Sequence, residues 1–455
     1  MEPVYSVITA FDIESGVQSE KTVVTRKICG KPIINWVKDA VSDAGASEIT
    51  IFAGHISSEV ISCVSDGLST INIIETTETD NTLIKASQLL KGKKGACLFV
   101  CANKPLITTG TLNNLLKLHF DKNNAITFLT DDQELIQGLD IHLDETGKMK
   151  DDFLLRIASE INKTGIYVID ARWLGKSVKN HPNPENQNLR QKKLTESIAA
   201  QIISNGGSIG AVAPLIVDDL QSVNDMIEFS KAHKIINNRI IKRHMKNGVT
   251  FLNPESCIVE NDVTIEKDTL IYPGTILEGS TKIGDNCVIG PNTLLRNVRT
   301  GKHVTVINSV AIDSSIDDNT KVGPFAYLRP GSQIGKNVKI GDFVEIKKSL
   351  IGDDTKISHL TYIGDAEIGK NVNIGCGVVV VNYDGQKKHK TIVGDNSFIG
   401  CNVNLVSPVE VKPNAFVAAG STITEEVPEY SLAIARSRQT IIADWVLKKG
   451  RIRGT

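Results

Sequence analysis

The sequence lacks an excess of charge of either sign. Its 51 Lys and Arg residues nearly balance its 52 Asp and Glu residues. A protein that binds nucleic acid or an anionic membrane surface through its overall charge would be strongly basic. Neither partner is therefore predicted, and any polyanion that the chain binds must be held by a local group of basic side chains.

The chain also lacks a signal-peptide pattern, a membrane-spanning segment and paired cysteines. The amino terminus, MEPVYSVITAF, has no basic flank before its apolar run. No apolar stretch approaches the roughly 20 residues that cross a bilayer. The eight cysteines show no CxxC pair and no zinc-ligand spacing. We expect them to be reduced, small core residues of a cytoplasmic protein.

The first 221 residues alternate short, β-rich apolar runs with segments of helical spacing. With 455 residues, the chain is too long for one compact core. The alternation predicts an α/β domain of the Rossmann-like nucleotidyltransferase type, with a largely parallel sheet and ligands at the carboxyl ends of its strands. Apolar residues then recur at helical intervals from Ser222 to Met245, before Asn247-Gly248. Residues 222–248 are therefore predicted to form a linker helix.

From residue 249 to about 430 the apolar period changes to six. Neither an α-helix nor a flat strand has this period. Short repeats of this kind predict a parallel β-helix, whose coils stack about 4.8 Å apart. An insertion, NYDGQKKHKT, interrupts the period between Val380 and Val393 and predicts a loop that leaves the β-helix. Residues 431–455 follow as a carboxy-terminal tail. The aliphatic positions of three such runs are Val259, Ile265, Ile271, Leu277, Ile283, Ile289 and Leu295; Ile316, Val322, Leu328, Ile334, Ile340 and Ile346; and Val393, Ile399, Leu405, Val411, Val417 and Ile423.

Four segments of the second half are richer in polar residues than packing requires. They are GPFAYLRPG (323–331), GDFVEIKK (341–348), SHLTYIGDAEIGKNVNIGCGVVVVNYDG (358–385) and SLAIARSRQ (431–439). The chain closely resembles the bacterial bifunctional N-acetylglucosamine-1-phosphate uridyltransferases and glucosamine-1-phosphate acetyltransferases, most strongly after residue 320. The resemblance implies a left-handed β-helix, a homotrimer and an acetyl-coenzyme A site where neighbouring β-helices meet.

His359 matches the catalytic base of that family. Acetyl transfer to an amine needs a base that takes a proton as nitrogen attacks the thioester, and a neutral imidazole suits this role near neutral pH. A lone histidine in a repeat protein is more often a surface residue, and we interpret His303 and His389 in that way. The motif around His359 favours catalysis instead.

The resemblance also assigns the substrate and cofactor positions. Arg329, Lys347 and Lys388 supply the fixed positive charge that a sugar phosphate needs, and Tyr362 and Asn373 match the remaining sugar contacts. Many family members have Ala at Cys376 and Ser at Cys401, and a thiol is a poorer hydrogen-bond donor than a hydroxyl. The basic tail KKGRIRG is either a solubilising end or a contact to coenzyme A phosphates. The cofactor set is Cys376, Asn382, Tyr383, Cys401, Ala419 and Arg436.

The first half departs from the family at its phosphate and metal positions. The family's glycine-rich loop corresponds to Thr9 to Val17, where Asp12 and Glu14 replace the two glycines. Two carboxylates there would repel a triphosphate. The family's magnesium aspartate reads as Asn103, which keeps an oxygen but has no charge, and Asn224 matches the second magnesium ligand. The sequence thus predicts a domain that keeps its fold and has lost useful uridyl transfer.

Three functions stay open from the sequence. The first is acetyl transfer from acetyl-coenzyme A to the amine of glucosamine-1-phosphate, as a step towards UDP-N-acetylglucosamine. The alternative is a fully bifunctional enzyme that also transfers uridyl from UTP, and only this one requires Mg²⁺. The third is a noncatalytic trimeric scaffold.

Overall fold

A computed structural model describes residues 2–10, 22–54, 57–64, 71–76, 82–138, 151–179, 198, 200–202 and 205–450. The chain divides into two compact units, Met1–Asn237 and Asn238–Thr455. Residues 11–21, which include Asp12 and Glu14 of the predicted phosphate loop, lie outside the described residues. Among the described residues, none of the helices combines the length and the apolar character that crossing a bilayer requires.

The described part of the first unit contains a seven-stranded sheet and a separate two-stranded hairpin. The sheet strands are β1 (Val4–Ala10), β4 (Ala46–Ala53), β5 (Ile71–Glu75), β6 (Ala96–Cys101), β7 (Ile126–Leu129), β8 (Ile166–Asp170) and β9 (Ile209–Val212), and the hairpin pairs β2 (Lys27–Ile28) with β3 (Lys31–Pro32). The order in the sheet is β5-β4-β1-β6-β8-β7-β9. All its pairings are parallel except those of β8 with β6 and β7.

Helices cover both faces of this sheet. Ile8 packs in one apolar cluster with Val37 and Leu112, whereas its neighbour Val7 packs in a second cluster with Leu83. Successive side chains of a strand point to opposite faces, so the sheet is the middle layer of three. The helices are α1 (Ile33–Asp43), α2 (Ser57–Val64), α3 (Thr82–Leu89), α4 (Thr109–Asp121), α5 (Gln133–Gly138), α6 (Asp151–Thr164) and α7 (Ala171–Lys179), with 3-10 turns at Val23–Thr25 and Val217–Leu220.

The long helix α8 spans Met226–Lys246 and begins later than the predicted residue 222. The carboxylate of Asp225 accepts a hydrogen bond from the Glu228 amide at 2.7 Å, and the Glu228 carboxylate accepts one from the Asn224 amide at 2.7 Å. These contacts resemble a capping box, which satisfies amides that a helix start leaves without partners. At the other end Gly248 has a φ of +90°, which suits the residue after a helix.

The second unit consists of short strands in three parallel sheets of 11, 10 and 9 strands, all within the described range 205–450. Sheet 1 contains β10 (Thr250–Phe251), β13 (Leu270–Ile271), β16 (Val288–Ile289), β19 (Thr305–Val306), β22 (Lys321–Val322), β25 (Lys339–Asp342), β28 (Lys356–His359), β31 (Asn373–Ile374), β34 (Phe398–Ile399), β37 (Phe416–Val417) and β39 (Leu432–Ala433). Sheet 2 contains β11 (Ile258–Val259), β14 (Ile276–Glu278), β17 (Leu294–Arg296), β20 (Val310–Ile312), β23 (Tyr327–Leu328), β26 (Glu345–Lys347), β29 (Tyr362–Gly364), β32 (Val379–Val381), β35 (Asn404–Val406) and β38 (Thr422–Ile423). Sheet 3 contains β12 (Thr264–Ile265), β15 (Lys282–Ile283), β18 (Arg299–Thr300), β21 (Ser315–Ile316), β24 (Gln333–Ile334), β27 (Leu350–Ile351), β30 (Ala366–Ile368), β33 (Thr391–Val393) and β36 (Val409–Val411).

Aliphatic side chains stack from coil to coil inside this unit. In sheet 1, Ile340, Ile357, Ile374 and Ile399 are consecutive register partners, and each is at most 2% exposed. Burying an aliphatic side chain of this size contributes about 1.5–3 kcal/mol, so the six-residue period is the period of the core. The three sheets agree with the left-handed parallel β-helix that the resemblance implies, and the predicted fold class is confirmed.

The β-helix continues into the residues that the sequence assigns to the tail. Strand β39 (Leu432–Ala433) pairs with β37 and closes the last coil. The short helix α9 (Trp445–Lys448) follows. The inserted loop lies between β32 and β33, where Tyr383 and Lys388 form an antiparallel bridge. Residues 383–388 therefore form a small hairpin.

Candidate active site

His359 pairs with an aspartate from the preceding coil. It ends strand β28, and Asp342 ends the neighbouring strand β25 in direct register with it. The His359 Nδ1 atom lies 2.5 Å from Asp342 Oδ1. This hydrogen bond lowers the pKa of the Asp342 carboxyl below its usual range. The Asp342 carboxylate accepts a hydrogen bond from the N–H group at Nδ1. The lone pair on Nε2 of the neutral imidazole is therefore available to take a proton.

A glycine allows the two strands to approach at this point. A Cβ atom placed on Gly341 would lie 1.9 Å from the backbone oxygen of Ser358. No side chain fits at that distance, so the residue between Ile340 and Asp342 must be glycine. Asp342 is a site residue that the sequence reasoning missed. Its offset of 17 residues from His359 equals that of the core partners Ile340 and Ile357, and this spacing could have revealed it.

Two lysines predicted to bind the sugar phosphate lie next to each other. Lys347 ends strand β26 and its side chain is only 11% exposed, with Nζ 3.7 Å from Asp365 Oδ2. Lys388 comes from the inserted loop, and the adjacent Lys347 ammonium lowers the pKa of Lys388. Two neighbouring ammonium groups repel each other, and an anion between them relieves that repulsion. The pair is a suitable place for a phosphate group.

Arg329 and Tyr362 lie on the same sheet as Lys347. Arg329 follows strand β23 and donates from Nη1 to Glu345 Oε1 at 2.8 Å. Glu345 is in turn the register partner of Tyr362. The side chain of Tyr362 lies close to both Arg329 and Lys388. Sheet 2 thus presents three of the predicted sugar-phosphate residues on successive strands.

The inserted loop is anchored close to these residues. Asn382 is buried, and its Nδ2 atom donates to Asp365 Oδ2 at 2.6 Å. Asp365 therefore joins Asn382 to Lys347. Tyr383 is exposed, and its hydroxyl donates to the Gly385 carbonyl at 2.7 Å within the loop. The contacts of both residues place them beside the lysine pair.

Asn373 lies on sheet 1, apart from this cluster. It begins strand β31 and is in register with Lys356, three residues before His359. No hydrogen bond of the Asn373 side chain to the other predicted residues is found in the described part of the chain. It stays a predicted sugar contact.

The predicted coenzyme A residues lie on successive coils at one corner of the β-helix. The Asn402 amide donates to the Cys376 carbonyl at 2.8 Å, and the Gly420 amide donates to the Cys401 carbonyl at 2.8 Å. Ala419 precedes Gly420, and a Cβ on Gly420 would lie 3.7 Å from Arg436 Cδ. Cys376 is half-buried and Cys401 is exposed, and both are free thiols. The four residues therefore form a line across neighbouring coils.

The first unit brings together its two predicted metal residues, but in an arrangement that does not fit Mg²⁺. Asn103 follows strand β6, and its Nδ2 atom donates to Asn224 Oδ1 at 2.8 Å. Mg²⁺ requires free oxygen ligands, commonly carboxylates. Here one amide nitrogen faces the other amide's oxygen. Among the described residues, no group of three or more His, Cys, Asp and Glu side chains could hold a metal ion.

Comparisons with known proteins cover the whole chain. The family model of the bacterial transferase hexapeptide (six repeats) matches residues 262–297, and that of the GMPPB C-terminal domain matches residues 312–430. The bifunctional protein GlmU of Acetivibrio thermocellus is 48% identical over 100% of this chain and 99% of its own. The corresponding protein of Caldanaerobacter subterraneus subsp. tengcongensis is 43% identical over 99% of this chain and 100% of its own, and that of Clostridium kluyveri is 41% identical over 98% of each.

These identities extend over both units and not over the repeats alone. A match of 48% over the full length is far above what a shared repeat pattern would produce. The chain belongs to the family of bacterial bifunctional GlmU proteins, the N-acetylglucosamine-1-phosphate uridyltransferases and glucosamine-1-phosphate acetyltransferases that its sequence resembles.

Proposed function

We propose that this chain transfers the acetyl group of acetyl-coenzyme A to the amine of glucosamine-1-phosphate. The observation that carries the proposal is the hydrogen bond of 2.5 Å between His359 and Asp342. Strand β25, which ends at Asp342, is followed directly along the chain by strand β26, which ends at Lys347. A base held in one tautomer next to an anion site is what acetylation of an amino sugar phosphate requires.

The reaction balances with His359 as the only protein group that moves a proton. The neutral amine attacks the thioester carbonyl, so that a C–N bond forms. His359 Nε2 takes a proton from the nitrogen. The C–S bond then breaks, and the coenzyme A thiolate leaves and takes up the proton from the His359 imidazolium, which restores the neutral base. The Asp342 carboxylate stabilises the imidazolium that forms, as a carboxylate does for a catalytic histidine elsewhere.

The phosphate of the sugar binds between Lys347 and Lys388 in this proposal, with Arg329 beside them. Its negative charge compensates the repulsion that lowers the pKa of Lys388. Arg329 uses one N–H group to donate to Glu345. A guanidinium has five such groups, and the others can donate to the phosphate. Tyr362 and Asn373 contact the sugar ring.

Acetyl-coenzyme A binds along the corner formed by Cys376, Cys401, Ala419 and Arg436. Family membership supports a homotrimer in which a neighbouring β-helix completes this site. A free thiol at Cys401 in place of a hydroxyl weakens one contact to the acyl group. Asn382 and Tyr383, the other predicted cofactor residues, lie beside the lysine pair and contact acetyl-coenzyme A from the inserted loop in this proposal.

The test is the release of coenzyme A from acetyl-coenzyme A and glucosamine-1-phosphate by the purified full-length chain. We expect His359→Ala to lower kcat by about 10²–10⁴-fold, the usual contribution of a general base. His303→Asn is the matched control, because His303 is exposed at another corner with a φ of +56°, which asparagine tolerates. Equal activity of His359→Ala and the wild type contradicts the proposal. Absence of coenzyme A binding at millimolar concentration would favour a scaffold.

The comparisons favour a second function in the same chain, uridyl transfer from UTP to N-acetylglucosamine-1-phosphate. The relatives that are 41–48% identical over their full length bear a name that states two functions. Those names do not bear out the prediction, made from Asp12, Glu14 and Asn103, that this half is inactive. The test is Mg²⁺-dependent release of pyrophosphate from the two substrates by protein free of any host enzyme.

A further inference from the structure

The position where the family places a magnesium ion is crossed by a direct hydrogen bond. Asn103 lies two residues beyond strand β6, and Asn224 lies two residues before helix α8. Their side chains are joined by the hydrogen bond of 2.8 Å from Asn103 Nδ2 to Asn224 Oδ1. Whichever amide donates, an N–H group lies on the line between the two side chains. A divalent cation needs an oxygen lone pair from each residue and has no room there.

Further hydrogen bonds join the same two segments. The Val223 amide donates to the Asn103 carbonyl at 2.8 Å. The Lys104 ammonium donates to the Leu220 carbonyl and to Ser222 Oγ, each at 2.8 Å. Residues 220–224 are thus attached to the end of β6 by backbone and side-chain bonds from two consecutive residues.

Charged side chains beside the asparagine pair are also engaged with the same segment. Lys104 is only 3% exposed, and its Nζ atom donates to the Leu220 carbonyl and to Ser222 Oγ. The Glu228 carboxylate accepts from the Asn224 amide. Both charged groups of the cluster are therefore already hydrogen-bonded to residues 220–224.

We propose that Asn103, Lys104 and Asn224 form a metal-free clasp, which holds the start of helix α8 against the end of strand β6 without a divalent cation. The clasp replaces the metal centre in this chain. It is independent of acetyl transfer, whose proposed residues all lie in the second unit. Failure of either the clasp or acetyl transfer leaves the other intact. The clasp and a uridyl transfer that uses Mg²⁺ bound by Asn103 exclude each other, and the pyrophosphate assay decides between them.

The first measurement is the binding of Mn²⁺ to the full-length chain and to Asn103→Ala, monitored by electron paramagnetic resonance. We expect the two proteins to bind the same amount of Mn²⁺. One additional Mn²⁺ per wild-type chain, lost in Asn103→Ala, would overturn the clasp. Pyrophosphate release that requires Mg²⁺ and disappears in Asn103→Ala would overturn it too.

The second measurement is thermal unfolding of the full-length chain in excess EDTA and in millimolar MgCl₂, read at the transition of the α/β unit. We expect Asn103→Ala to lower the Tm by about 2–4 °C, the effect of one lost hydrogen bond in a unit of this size. The same decrease should appear in both buffers. Asn72→Ala is the matched control, since exposed Asn72 donates to Glu48 at 3.1 Å on the same sheet and should shift the Tm less. A decrease that appears only with MgCl₂ would refute the clasp.

Discussion

Replacing Asp342 with asparagine tests the central pair of the proposed acetyltransferase site. The side chain keeps its size and one hydrogen bond to His359, but loses the charge that stabilises the imidazolium. The amide can also donate to Nδ1, which moves the imidazole proton to Nε2 and removes the base. We therefore expect Asp342→Asn to lower kcat and to leave the KM for glucosamine-1-phosphate nearly unchanged.

The magnitude follows from the exposure of the pair. A general base contributes about 10²–10⁴-fold to a rate. The side chains of His359 and Asp342 are 55% and 37% exposed, so solvent screens part of their interaction. The loss should therefore be smaller than that in His359→Ala, about tenfold to a hundredfold.

The pH dependence provides a second readout. The hydrogen bond from His359 lowers the pKa of Asp342, so the carboxylate stays ionised above that lowered value. A depressed carboxyl pKa contributes its effect at higher pH and loses it as the pH falls through the folded value. The rate difference between the wild type and Asp342→Asn should be constant near neutral pH and shrink only in acid.

The assay is coenzyme A release across a pH series, with Asp353→Asn as the matched control. Asp353 is another aspartate of the β-helix, and its Oδ1 atom accepts from the Lys336 amide at 2.9 Å, away from His359. It should retain wild-type kcat. Wild-type kcat in Asp342→Asn, with a large loss in His359→Ala, would refute the role assigned to Asp342.

Three further predictions concern neighbouring features. Lys347→Met should raise the KM for glucosamine-1-phosphate about 10- to 100-fold, because it removes one charge-assisted phosphate contact. Lys321→Met, which changes an exposed lysine of β22, should leave the KM unchanged. Equal KM values for the wild type and both variants would contradict the phosphate site. Acetyl-coenzyme A should protect the exposed thiol of Cys401 from iodoacetamide in mass-spectrometric peptide analysis; alkylation at the same rate with and without it would exclude contact there. Gly341→Ala should lower the free energy of unfolding by about 1–3 kcal/mol, because the added Cβ would overlap the next coil. Gly175→Ala should not lower it, because the added Cβ meets open space in α7. Equal midpoints of urea unfolding for the two variants would contradict this prediction.

The β-helix could be predicted because its core has a period of its own. Buried aliphatic residues about six apart lie on successive faces of one coil, and three such steps bring the chain back to the same face, where Ile357 stacks on Ile374. His359 was predictable from its motif. Asp342 has no such motif, because its partner lies on another coil, and only the 17-residue offset that Ile340 and Ile357 share relates it to His359.

Contacts that depend on loops or caps were harder to predict. Lys388 reaches Lys347 only because the inserted loop forms a hairpin through Tyr383, which the repeat period does not describe. The start of α8 at Met226 depends on the carboxylates of Asp225 and Glu228. Apolar spacing alone extends the predicted helix back to residue 222.

In the first unit the fold does not depend on the residues at the predicted metal position. Its sheet is stabilised by buried residues such as Ile8 and Val7 on its two faces, and these do not depend on Asn103. From the sequence, an asparagine in place of an aspartate leaves an oxygen that could still bind a metal. The hydrogen bond to Asn224 engages both amides with each other, and the buried Lys104 donates to Leu220 and Ser222 beside them. Loss of one charge would only weaken a metal site. In the proposed clasp these contacts give the same residues a different role, so removing Asn103 should lower stability in EDTA as much as in Mg²⁺.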